Sequence, residues 1–271
     1  MEIQLEKIHV AVEDARLDGT LLMPAHEWPG VLFVHGWGGS QVHDLARAKE
    51  AAGLGCVCMT VDLRGHGSDV AEAARVSRAQ NLADVVSAYD WLAQRSGVDK
   101  DSVAVVGISY GGYLAALLTS LRQVRWLALR SPALYKDEHW DRPKLELHRD
   151  PDLSAYRRRH VGNDENRALE ACTTFAGDVL LVEAGHDEIV PHAVTESYLT
   201  AFANVHSITT RRVVDADHGF SGKAAQREYT DVLIKWLTEM ITGARSSAAA
   251  KKVKTHKLDL EAGAGERSGD A

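Results

Sequence analysis

Apolar and polar positions alternate loosely over residues 3–12 and 15–23, with "EDAR" at the junction, which predicts an antiparallel hairpin at a sheet edge. Beyond it the pattern changes. "GVLFVHG" (30–36), "GCVCMTVD" (55–62), "SVAVVG" (102–107), "VRWLALRS" (124–131) and "DVLLVEAG" (178–185) are short, dense apolar runs, as expected of strands buried on both faces of a parallel sheet. "HSITTRRVV" (206–214) has strand length but more polar character, and is expected near an edge. Between the strands, Leu82, Val85, Val86, Tyr89 and Leu92 recur at three- and four-residue spacing, drawing one helical stripe, and residues 224–241 do the same. Strands alternating with helices imply right-handed crossovers, so the fold class is α/β: a mostly parallel sheet with helices on both faces.

Two segments escape this pattern. Residues 135–170 are strongly polar and carry Arg157, Arg158 and Arg159 in a row. They read as a loop-and-helix insertion, a short lid over the C-terminal edge of the sheet that would line most of the substrate pocket. Residues 243–271 are rich in Ala, Gly, Ser and Lys with few large apolar groups, and read as a disordered tail behind a single domain spanning 1–242. No internal repeat is evident.

Composition narrows the partners. Hydrophobic residues at 45% and charged residues at 25% are ordinary for a globular fold. A formal charge of −7 gives no footprint for nucleic acid, which favours a small-molecule partner. The N-terminal stretch has no apolar core of signal-peptide length, and no later run is long enough to predict a membrane span. Cys56, Cys58 and Cys172 form neither an even set nor a metal-ligand cluster. Cys56 and Cys58 should share one strand face as small core residues, and a reducing cytoplasm fits best.

The candidate chemistry lies in "GISYG" (107–111). Ser109 follows a buried strand and opens a helix, the strand–turn–helix setting of a nucleophile elbow, with Gly107 and Gly111 where neighbouring chain must pass close to a sharp turn. A serine hydroxyl needs a base to take its proton and an acid to orient that base, both following in chain order after later strands. "GHDEIVP" offers Asp187 and "DADHGF" offers His218. For the oxyanion, the residue after the nucleophile supplies the Tyr110 amide, and "HGWGGS" (35–40), after the strand at 30–34, supplies that of Trp37.

Taken together, "HGWGGS", "DLRGHGSD", "GISYGG", "GHDEIVP" and "DHGF" resemble the α/β-hydrolase family from about residue 8 to 242, and "GISYGGYLA" is particularly similar to the dienelactone-hydrolase and prolyl-oligopeptidase-like branches. The resemblance implies an eight-stranded sheet, a Ser109–His218–Asp187 triad and acyl-enzyme chemistry without metal or organic cofactor. The chain shows no room for the propeller of the oligopeptidases, so the expected substrate is a small carboxylic ester, thioester or lactone. An acyltransferase, an aminoacyl peptidase and a ligand receptor that does not turn over are the alternatives.

Other polar residues in these motifs have structural readings. His35 is expected to brace the oxyanion loop, and Asp62, Arg64 and His66 to form a hydrogen-bonded loop beside the site. Glu183 should still lie on its strand and Glu188 matches no acid position in the motif, which leaves them as rivals to Asp187. Residues 157–159 are expected to form a solvated helix face.

Overall fold

The computed structural model describes residues 3–13, 15–24, 28–147 and 150–266. Its centre is one eight-stranded sheet in the order β1-β2-β4-β3-β5-β6-β7-β8. The strands are β1 (Ile3–Val12), β2 (Ala15–Pro24), β3 (Trp28–Val34), β4 (Val57–Val61), β5 (Val98–Ile108), β6 (Trp126–Arg130), β7 (Asp178–His186) and β8 (Ser207–Asp217). β1 pairs antiparallel with β2, and β2 with β4, while every pairing from β4 through β8 is parallel.

This is the expected architecture, and burial explains it. β4 and β6 are buried along their whole length, as strands covered on both faces must be. β8 is largely exposed, with Val213 and Ala216 its buried positions, and closes the sheet at its polar edge.

The helices are α1 (Leu45–Gly53), α2 (Arg78–Ala93), α3 (Tyr110–Leu118), α4 (Lys144–Leu147), α5 (Leu153–Arg158), α6 (Arg167–Thr174), α7 (His192–Ala201) and α8 (Lys223–Glu266). One core packs α2, α3, α6 and α7 against the sheet through Val85, Tyr113, Leu169 and Val194. The other packs α1 and α8 through Ala48, Leu233 and Trp236. Cys56 and Cys58 both lie in this second core, on one face as their spacing predicts.

Two segments add detail to the sequence pattern. The last helix does not stop at residue 242 but continues to Glu266 across most of the expected tail. Alanine and lysine, frequent in that stretch, are strong helix formers even where no apolar stripe is present; residues 267–271 lie outside the described residues. The arginine run is also not uniformly solvated. Arg157 is buried and donates to the carbonyls of Leu134 and Ile189, while Arg159 is exposed and pairs with Glu165. The insertion between β6 and β7 contains α4 and α5, and its residues 148–149 lie outside the described residues.

Candidate active site

Ser109 occupies the turn between β5 and α3 with φ +51° and ψ −111°. A non-glycine residue rarely adopts positive φ, and the surroundings hold it there. The Ser109 amide donates to the Arg130 carbonyl at 2.9 Å, and its own carbonyl accepts from Tyr113 at 3.1 Å and Ala133 at 3.0 Å. Gly111 makes the turn possible. A Cβ there would stand 2.2 Å from the Val34 carbonyl oxygen and 2.5 Å from that of His35, so only hydrogen lets α3 start against the end of β3. At Gly107 a Cβ would stand 2.6 Å from the Gly111 carbonyl.

The chain ends after β7 and β8 converge on this turn. His218 Nε2 lies 2.9 Å from Ser109 Oγ, and His218 Nδ1 lies 2.7 Å from Asp187 Oδ2. The other Asp187 oxygen accepts from the amides of Ile189 at 3.0 Å and Val190 at 2.7 Å. Burial pushes the Asp187 carboxyl up, but the hydrogen bond and charge of His218 and these two amides outweigh it and hold it below the usual aspartate value. Asp187 is therefore ionised at neutral pH, and an ionised carboxylate accepts from Nδ1–H, leaving Nε2 as acceptor for the serine hydroxyl.

The structure brings Ser109, His218 and Asp187 together and leaves both rivals to Asp187 out. Glu183 lies on β7 and contacts His192 Nδ1 at 2.6 Å. Glu188 lines a hollow with Arg157, Arg158 and Pro191, and it is Asp187 that meets His218 Nδ1.

The two residues expected to frame an oxyanion also meet. Tyr110 opens α3, where the first amides of a helix have no carbonyl within the helix to bond. Trp37 follows β3, and its ring packs edge-on to that of Tyr110, with centroids 5.6 Å apart. His35 braces the Trp37 loop: its Nε2 accepts from the Leu63 amide at 3.2 Å, so Nδ1 carries the proton donated to the Gly36 carbonyl at 2.8 Å. Burial lowers its pKa, in keeping with a neutral ring. The following loop is hydrogen-bonded as expected: Asp62 accepts from the Gln41 amide, Arg64 Nε donates to Asp84 Oδ1 at 2.6 Å, and His66 Nδ1 donates to the Arg64 carbonyl. Burial and neighbouring His35 push His66 down to about 4.

A cleft of about 840 Å³ opens beside Ser109 and His218. Its walls are the loop at 35–39, α1 and the start of α8, and among the described residues none of 135–170 lines it. The insertion instead lines a separate hollow with Asp187 and Ile189. Leu145 of the insertion lines a further hollow with Trp37, Gly38 and His66. Two residues that pattern reading passed over sit at the site. Lys144 of α4 is fully buried, 3.9 Å from the Trp37 ring centroid and 4.6 Å from that of Tyr110. Arg130 lines the cleft, and its only sequence signal is a charge ending an otherwise apolar strand.

This fold and this grouping of serine, histidine and aspartate define a serine hydrolase of the α/β-hydrolase class. The sequence profile of the prolyl oligopeptidase family matches residues 42–244, and the chain belongs to that family. It is 30% identical over 179 residues to an uncharacterized protein of Mycobacterium tuberculosis, covering 65% of this chain and 58% of that protein. It is 29% identical over 206 residues to a probable dipeptidyl-aminopeptidase B of Neurospora crassa, covering 71% of this chain and 21% of that protein. The chain thus spans less than two thirds of the length of these relatives. Among solved structures, dienelactone hydrolase from Anabaena variabilis superposes with a TM-score of 0.65 at 21% identity, over 88% of this chain and 99% of that one. Among the described residues, no helix is long and apolar enough to cross a membrane.

Proposed function

We propose that the protein hydrolyses a small carboxylic ester, thioester or lactone through an acyl-enzyme on Ser109. His218 Nε2 takes the hydroxyl proton as Ser109 Oγ bonds to the substrate carbonyl carbon. The carbonyl oxygen takes up the displaced electron pair and is held by the amides of Trp37 and Tyr110. The carbon–oxygen bond to the leaving alcohol then breaks, and His218 gives its proton to that alcohol. Water repeats the sequence on the acyl-enzyme, with His218 again as base, and releases the acid and free Ser109. Asp187 holds the imidazole in the required tautomer and stabilises its cation.

The observation that carries this reading is the unbroken relay from Ser109 Oγ through His218 to Asp187, with contacts of 2.9 Å and 2.7 Å. The ester preference draws support from the match to nearly the whole of a dienelactone hydrolase. Family membership favours one second reading, an aminoacyl peptidase on the same residues. Rates on para-nitrophenyl esters and on the matched aminoacyl para-nitroanilides separate the two. Esters are expected to be cleaved far faster, with activity lost in Ser109→Ala; comparable rates on the anilides would make the protein a peptidase. Cys56, Cys58 and Cys172 are all buried, which supports a reducing, cytoplasmic setting.

A further inference from the structure

The cleft beside Ser109 contains a cation that no carboxylate among the described residues pairs with. Arg130 ends β6 in register with Ile108, directly before the nucleophile. It is 7% exposed and lines the cleft that holds Ser109 and His218. Its guanidinium carbon lies 4.5 Å from the Phe220 ring centroid and 5.1 Å from that of Tyr229. Its Nε is buried with no hydrogen-bond partner, and so is the Tyr229 hydroxyl behind it.

Among the described residues, the other buried arginines each have a hydrogen-bond partner on the guanidinium, although Arg78 Nε, like that of Arg130, has none. Arg47, across the Tyr229 ring, is held by Asp44 and the His43 carbonyl. Arg64 pairs with Asp84, Arg78 donates to the carbonyls of Lys136 and Glu138, and Arg157 donates to that of Leu134. A buried charge without a partner is costly, and the ring faces of Phe220 and Tyr229 offset only part of that cost. An anion entering the cleft would complete the site.

We infer that Arg130 is a specificity-determining residue that binds a carboxylate carried by the substrate, so that the ester cleaved at Ser109 is an anionic one. This rests on the reading of Ser109 as nucleophile. The guanidinium fork matches a planar carboxylate through two parallel N–H···O bonds.

Two matched ester pairs test the inference: para-nitrophenyl hemiglutarate against its methyl ester, with the charge on the acyl side, and para-acetoxybenzoate against its methyl ester, with the charge on the leaving group. The free carboxylate is expected to be preferred in kcat/KM by about tenfold or more in one pair, chiefly through KM. The preference should fall to about one in Arg130→Met and be partly kept in Arg130→Lys. A wild-type ratio of one or below in both pairs, or a ratio unchanged in Arg130→Met, overturns the subsite. Turnover of the neutral esters tests the nucleophile reading separately. Calorimetric binding of glutarate to the wild-type protein needs no turnover and no substitution: saturable binding supports the subsite, and its absence counts against it.

Discussion

Asp187 and His218 are joined by a 2.7 Å contact between Oδ2 and Nδ1, while the second Asp187 oxygen is pinned by the amides of Ile189 and Val190. The carboxylate is thus fixed from two sides and cannot rotate away from the imidazole. Asp187→Asn should keep the fold but present an amide that favours the wrong tautomer, lowering kcat by on the order of 10⁴ at neutral pH. Glu188→Gln, one residue along, should cost little. Steady-state kinetics of both variants, with circular dichroism to confirm folding, decide the assignment. It fails if Glu188→Gln is the crippled variant and Asp187→Asn retains most activity.

Asp187 should also bring a pH dependence to stability. Its folded pKa lies below the ordinary aspartate value, so its contribution is complete above the unfolded pKa and disappears as pH falls through the folded one. His66 acts over a higher window. Its pKa is about 4 in the fold against 6.5 unfolded, so acid protonates the unfolded chain first and stability drains away between those two values. The loss from His66 is on the order of 3 kcal/mol. Urea midpoints measured from pH 7 to pH 4 should fall, and His66→Gln should flatten the decline; an equally steep decline in that variant would assign it to other groups.

The tight elbow predicts a contrast between two glycines. Gly111→Ala forces a Cβ against the Val34 and His35 carbonyls, both backbone atoms of the sheet, and should cost at least about 3 kcal/mol. Gly53 ends α1 with nothing within 4 Å of an added Cβ, so Gly53→Ala should be neutral or stabilise slightly. Thermal melts of the two variants provide the check. Equal melting temperatures would mean that the turn can relax.

The sheet was legible in the sequence because strands buried on both faces leave uninterrupted apolar runs, as 57–61 and 126–130 do. The relay was legible because Ser109, Asp187 and His218 each directly follow a strand. α1 and α7 were not. Arg47 is buried within α1 by Asp44, and Thr195 and Ser197 are buried within α7, so neither helix shows a continuous apolar stripe. The cleft was hidden for a different reason. Its walls come from residues 35–50 and 218–231, and only the folded sheet brings these stretches together around Arg130.

The central claim is that Ser109 is a nucleophile activated by His218, and covalent labelling of the folded protein with a fluorophosphonate tests it most directly. Removing either residue should lower kcat by up to roughly 10⁶, since the members act as a unit, but loss of activity alone does not identify the attacking atom. Peptide mapping by mass spectrometry does. The account predicts one label per chain, on Ser109, abolished in Ser109→Ala and strongly slowed in His218→Ala. Labelling at another serine, or none in protein shown to be folded, would contradict it.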